Sequence, residues 1–110
     1  MRSTSLSERS CKPLPPGTPA LKKDQIDAYL EQLRGWKIQN KELVREFKFA
    51  NYYQTMSAAV AVAMLAQRED HHPDMLVSYN KLTIRFSTHS VGGLSENDFI
   101  SAAKIDEMHN

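Results

Sequence analysis

The hydrophobic pattern of the chain changes period several times, and this limits the folds that it can adopt. The alternating segments WKIQ and ELVREFKF flank Asn40-Lys41, and MLVSY and LTIRFST flank Asn80-Lys81. Alternation with a period of two is typical of strands, and a short polar connection between two such segments predicts a hairpin. The sequence therefore predicts two β-hairpins.

Helical spacing of apolar residues separates and flanks these hairpins. Asp24 is placed to cap a helix that runs to about Leu33, with Gly35 as its stop. A helix of about five turns starts after Asn51 and ends before Pro73, and a third helix is opened by Ser95. The order α-β-β-α-β-β-α predicts an α+β fold in which a four-stranded antiparallel sheet carries its helices on one face.

The spacing also predicts which side chains point into the core. The expected inward-facing residues are Ile26, Tyr29, Leu30 and Leu33 in the first helix, Tyr53, Met56, Val60, Ala63 and Met64 in the second, Leu82, Ile84 and Phe86 in the last strand, and Phe99, Ala102, Ala103 and Met108 in the third helix.

The first twenty residues differ in composition from the rest. KPLPPGTP places four prolines in eight residues, and each proline removes a backbone donor. We expect residues 1–20 to form a flexible N-terminal arm, passive rather than a ligand for a proline-binding module, and residues 21–110 to form one domain.

Charge and cysteine content narrow the classes of function. The net charge of +1 gives no reason to expect a nucleic-acid or membrane surface. The single cysteine, Cys11, cannot form an intramolecular disulfide, and no apolar stretch approaches the ~20 residues of a membrane span. We therefore expect a soluble protein of the cytoplasm.

Three of the four histidines lie at the ends of predicted elements. EDHHPDM carries His71 and His72 at the end of the second helix, and His89 follows the last strand. Histidine exchanges protons near neutral pH, so three imidazoles around one pocket would suit general acid–base catalysis. Two alternatives stay open: unconnected surface histidines, and a three-histidine zinc site. Asp98 could orient His89 or simply cap its own helix.

These residues resemble the pterin-4a-carbinolamine dehydratase family. The resemblance consists of HHP at 71–73, Tyr79, His89 and Asp98 at fixed spacing, with GW at 35–36 and REFKF at 45–49. It extends over about residues 22–107.

The resemblance implies that the protein dehydrates 4a-hydroxytetrahydrobiopterin to quinonoid dihydropterin and water, as a hydro-lyase in tetrahydrobiopterin recycling. It implies acid–base catalysis by His71, His72 and His89, without a metal or a further cofactor. The implied substrate-binding residues are Asp70, Pro73, Ser87, Thr88, Ser90 and Asp98.

The resemblance also implies partners: a homodimer or homotetramer, built through sheet edges and the long helices, and a functional link to phenylalanine hydroxylase. The alternative is a non-catalytic dimerisation partner, as in transcriptional coactivation, or a molybdopterin-related role on the same fold. One position departs from the family pattern, because Gln67 stands where a charged residue is usual. We expect activity to persist, at a reduced level.

Overall fold

The computed structural model describes residues 5–109, and within them a four-stranded sheet is combined with three α-helices. The predicted α+β class and element order are confirmed. The elements are α1 (Lys23–Leu30), β1 (Lys37–Gln39), β2 (Glu42–Lys48), α2 (Tyr52–Glu69), β3 (Asp74–Val77), β4 (Lys81–Phe86) and α3 (Glu96–Met108), with 3₁₀ turns at Leu6–Glu8 and His89–Val91.

The sheet has the order β1-β2-β4-β3, and every neighbouring pair is antiparallel. Asn40 and Lys41 connect β1 to β2 with φ values of 52° and 63°, the double left-handed conformation of a tight hairpin turn. The second hairpin is closed one residue earlier than predicted. Ser78 N donates to the Lys81 carbonyl at 2.9 Å, so the loop is Tyr79-Asn80.

One face of the sheet forms the core. Leu82, Ile84 and Phe86 alternate along β4 and are each at most 1% exposed, as predicted. Leu43 and Phe47 of β2 lie opposite Phe86 and Leu82 in the register, so they share this face. Residues of α2 and α3 complete the same cluster, which places the helices on one side of the sheet.

The predicted N-cap of α2 is confirmed, because Asn51 Oδ1 accepts a hydrogen bond from Gln54 N at 2.9 Å. The predicted inward face of α2 is wrong. Tyr53, Val60 and Met64 are 81%, 56% and 70% exposed, and Met56 and Ala63 are exposed as well. Because α2 is apolar on most sides, periodicity did not determine which side packs. The buried side is Thr55, Ala59, Val62, Leu65 and Ala66, where small residues allow close approach to the sheet.

The other two helices follow the prediction more closely. The first helix begins at Lys23, two residues early, with Lys22 as its N-cap, so the predicted cap Asp24 lies within the first turn. It ends at Leu30, three residues before the predicted end, and Lys22 N donates to Gln25 Oε1 at its start. In α3, Phe99, Ala102 and Ala103 are buried as predicted. Met108 is 48% exposed instead of inward-facing, because the last turn of α3 extends beyond the core.

The N-terminal segment packs on the domain, which differs from the flexible arm that composition predicted. Leu6 is fully buried in the core cluster. Arg9 pairs with Glu96 at 2.9 Å, and Lys104 Nζ donates to the Ser7 carbonyl at 2.9 Å. Burial of one leucine stabilises by about 1.5–3 kcal/mol, which helps to offset the entropy lost in ordering the segment.

Within residues 5–109, no helix is both long and apolar enough to cross a membrane.

Candidate functional site

The end of α2 is a local structure that aims His71 inward. Asp70 adopts a left-handed conformation, with φ 54° and ψ 40°, immediately after the helix. His71 N then donates back to the Ala66 carbonyl at 3.1 Å, and Asp70 N to the Gln67 carbonyl at 3.3 Å. These two bonds define a Schellman motif, in which aspartate occupies the position that glycine usually takes. The chain reverses at Asp70, and His71 is placed beside α3.

His71 forms a pair with a buried carboxylate. Its Nε2 donates to Asp98 Oδ1 at 2.5 Å, and the Asp98 side chain is fully buried. Asp98 Oδ2 accepts from Thr88 Oγ1 at 2.8 Å and from Ser95 N at 2.9 Å. Because a carboxylate only accepts hydrogen bonds, Nε2 carries the hydrogen, and Nδ1 of a neutral ring is left with a free lone pair. The predicted cap and the orienting role both belong to Asp98, but the oriented ring is His71 and not His89.

Packing fixes the plane of the His71 ring. The ring stacks on Phe86 with 5.7 Å between centroids and 5° between planes. Only 13% of the side chain is exposed. One ring face and one nitrogen are thus occupied by protein, which holds the ring in one orientation.

A cavity of about 380 Å³ opens beside His71. This is within the size range of sites for small molecules, roughly 300–1,000 Å³. It brings together four of the predicted site residues, Asp70, His71, Thr88 and Ser90. The residues that sequence reasoning missed are Cys11, Lys12, Pro13, Leu14, Arg68, Glu69 and Asn97.

His89 lies in a neighbouring concavity of about 340 Å³, which it lines with Ser87 and the two glycines at 92 and 93. Thr88 is buried and lines both hollows, so it lies between the two histidines. The sequence had suggested one hollow for all three imidazoles. The chain instead enters a 3₁₀ turn at His89–Val91, which puts His89 on the other side of Thr88.

The remaining predicted residues surround the end of α2. His72 is exposed, and its Nε2 lies 3.0 Å from Gln67 Oε1, one turn back on the helix. Pro73 is half-buried at the start of β3. Gln67 therefore acts on His72 by hydrogen bonding.

Cys11 is half-buried at the edge of the larger cavity. Burial raises the pKa of its thiol, a hydrogen bond with Ser101 opposes this in part, and the nearby Glu69 carboxylate raises the pKa further. Its Sγ lies 3.4 Å from Ser101 Oγ. Cys11 is therefore a protonated thiol near neutral pH, which gives it little nucleophilic character.

Metal-type side chains do not cluster in the part of the chain that the structure describes. Among residues 5–109, no three His, Cys, Asp or Glu side chains converge as a metal site requires. The site is instead a histidine–carboxylate pair at the edge of a polar cavity, on a helix-covered antiparallel sheet.

The protein is thus a small α+β domain with a histidine–carboxylate pair at the edge of a cavity. The family model described as pterin 4 alpha carbinolamine dehydratase matches residues 19–108. The chain belongs to that family.

Two relatives are similar in sequence to this chain along nearly their whole length. A protein of Nitrosomonas eutropha, provisionally named a pterin-4-alpha-carbinolamine dehydratase, is 50% identical over 104 residues, which are 94% of this chain and 92% of that protein. A protein of Nitrosospira multiformis with the same provisional name is 50% identical over 103 residues, which are 94% of this chain and 91% of that protein.

Two solved structures share the fold. A transcriptional coactivator/pterin dehydratase from Brucella melitensis superposes with a TM-score of 0.78 at 27% identity, covering 83% of this chain and 99% of that chain. A pterin dehydratase-like protein identified as a RuBisCO assembly factor in the alpha-carboxysome superposes with a TM-score of 0.59 at 25% identity, covering 70% and 92%. The fold thus occurs in relatives whose names describe catalysis and assembly.

Proposed function

We propose that the protein dehydrates 4a-hydroxytetrahydropterin to quinonoid dihydropterin, in the recycling of tetrahydrobiopterin after aromatic amino acid hydroxylation. The observation that carries the proposal is the His71–Asp98 pair at the edge of a cavity of small-molecule size. Membership of the family supplies the substrate class.

The reaction needs one proton donor and one proton acceptor. The C4a–O bond breaks and its electron pair leaves with the hydroxyl, which takes up a proton to become water. N5 loses its proton, and the electrons of the N–H bond form the C4a=N5 double bond. Net chemistry moves a proton from N5 to the leaving oxygen, so no metal or redox cofactor is required by this scheme.

We assign the base to His71. Asp98 holds the hydrogen on Nε2, which leaves Nδ1 as the acceptor and stabilises the ring once it is protonated. His89, which lies in the neighbouring hollow on the other side of Thr88, is assigned as the acid, so the substrate has to extend past Thr88 to meet both rings. His72, which is exposed at the end of α2, is assigned as a substrate contact. Asp70, Thr88 and Ser90 line the cavity as binding groups, while Asp98 acts through His71 because it is fully buried.

The test is the dehydration rate of chemically prepared 4a-hydroxytetrahydropterin. We expect His71→Ala, His72→Ala and His89→Ala to lower the rate, by about 10²–10⁴-fold for the two proton-transfer residues. His109→Ala is the matched control, because His109 packs on Phe47 at a centroid distance of 4.5 Å, away from the cavity residues. Equal rates for all four variants and the unaltered protein would rule out histidine catalysis.

A second observation, the exposed apolar side of α2, favours association of the protein with a partner. The exposed side of α2 carries Tyr53, Met56, Val60 and Met64, an apolar surface that monomers seldom leave in water. We propose that this surface, termed the α2 surface, pairs with a second copy to give a homodimer or homotetramer. A partner of another kind, as in a coactivator or assembly factor, is the alternative, and sedimentation of the purified protein distinguishes them. A monomer at all concentrations would exclude the homo-oligomer.

A further inference from the structure

The N-terminal segment lies outside the family match, yet it forms part of the candidate site. The match begins at residue 19, whereas Cys11, Lys12, Pro13 and Leu14 line the same cavity as His71. These four residues, termed the arm wall, come from the part of the chain that composition had assigned to a passive arm.

The arm wall is held by directed hydrogen bonds. Lys12 N donates to Asn97 Oδ1 at 3.1 Å, and Asn97 Nδ2 donates to the Lys12 carbonyl at 2.8 Å. Cys11 N donates to Glu69 Oε1 at 2.9 Å. Asn97 is 8% exposed, and only 9% of the Glu69 side chain is exposed, so both anchors are largely shielded from water. Such a reciprocal pair fixes the backbone of Lys12 relative to α3.

Contacts of the residues before the arm wall hold the N-terminal segment against the domain. Leu6 is buried in the core, Leu6 N donates to Gln32 Oε1 at 3.1 Å, and Arg9 pairs with Glu96. The wall is thus preorganised, and a molecule in the cavity meets it without a further ordering cost.

The Lys12 side chain is the group that remains available. It is exposed, and it takes part in none of the ion pairs found in residues 5–109. Its ammonium carries three donors and no acceptor. An ammonium on a fixed backbone at a cavity edge suits a ligand group rich in oxygen acceptors.

We propose that the arm wall contacts the substrate, and that Lys12 recognises an oxygen-bearing substituent on the pterin ring, such as a hydroxylated side chain. The inference rests on the proposed function for the identity of the ring. It makes residues 11–14 a specificity element that the family's core motif does not contain.

The single cysteine gives a direct readout of occupancy. We would measure alkylation of Cys11 by iodoacetamide above about pH 9, where the thiol reacts, with and without saturating 7,8-dihydrobiopterin, and establish binding separately by calorimetry at the same pH. We expect the pterin to slow alkylation several-fold. Binding and turnover with an unchanged alkylation rate would overturn the arm wall and leave the dehydratase standing. Protection of Cys11 without turnover would support the arm wall and overturn the dehydratase activity. Failure of the pterin to bind would overturn both proposals.

Substrate comparison tests Lys12 itself. Lys12→Ala should raise KM about ten- to a hundredfold for a substrate with a dihydroxypropyl side chain, the loss of roughly one hydrogen bond to a charged group, with kcat changed little. The same variant should leave KM for a 6-methyl substrate unchanged. Lys22→Ala, another exposed lysine, is the control. Equal KM changes for both substrates, or none for either, would exclude recognition by Lys12.

Discussion

Replacement of Asp106 by alanine should destabilise the fold more than any surface change. Asp106 is 4% exposed on α3. Its Oδ1 accepts from Trp36 Nε1 at 2.8 Å and from Arg45 Nη1 at 2.6 Å, and its Oδ2 accepts from Arg34 N at 2.9 Å. Arg45 lies opposite Ile84 in the register, so this cation points to the core side of the sheet and depends on Asp106 for neutralisation.

The expected loss in the free energy of unfolding follows from the two groups that Asp106 no longer pairs. In the variant, the guanidinium of Arg45, whose side chain is only 19% exposed, loses its ion-pair partner. The indole N–H of the buried Trp36 loses its hydrogen-bond acceptor. Removal of one partner from a buried ion pair costs about 3–5 kcal/mol. That is a large part of the roughly 5–15 kcal/mol that stabilises a typical domain. At about 4–8 °C per kcal/mol, Tm should fall by roughly 12 °C or more.

The assay is urea unfolding followed by Trp36 fluorescence, combined with a thermal scan. Glu107→Ala is the matched control, since Glu107 is the next residue of α3 and is exposed. In a double-mutant cycle, Arg45→Ala and Asp106→Ala together should cost less than the sum of the single variants. A loss below about 1 kcal/mol at an unchanged m value would refute this view of Asp106 as the neutralising partner.

Three further predictions concern the site and the α2 surface. Gln67→Glu places a carboxylate beside His72 Nε2 and should change turnover and its pH profile; identical profiles would show that this position is unimportant. Because the pKa of the Cys11 thiol is raised, its alkylation in the free protein should become fast only above about pH 9, and rapid alkylation at pH 7 would contradict that. Val60→Lys or Met64→Lys should give folded monomers whose Tm no longer rises with protein concentration, and retained assembly in sedimentation would exclude the α2 surface as the interface.

The sequence predicted those site residues whose position depends on neighbouring residues in the chain. Asp70 and His71 could be placed because a helix end and a proline fix their position within a few residues. The pairing of His71 with Asp98 spans 27 residues, and the sequence predicted instead that Asp98 would orient His89 or cap its own helix. The Lys12–Asn97 contact spans 85 residues, and no spacing or composition signal indicated it.

Periodicity, turn residues and caps act between neighbours along the chain, so they were enough to predict the order of the helices and strands and the two antiparallel hairpins. The packed side of α2 could not be predicted in this way, since alanine and larger apolar residues occur around most of that helix, and it depends on the fit against the sheet. The same is true of the contact by which Asp98 orients His71 and of the position of residues 11–14 at the cavity. These are contacts between distant segments, and they form only when the whole sheet and its helices bring those segments together.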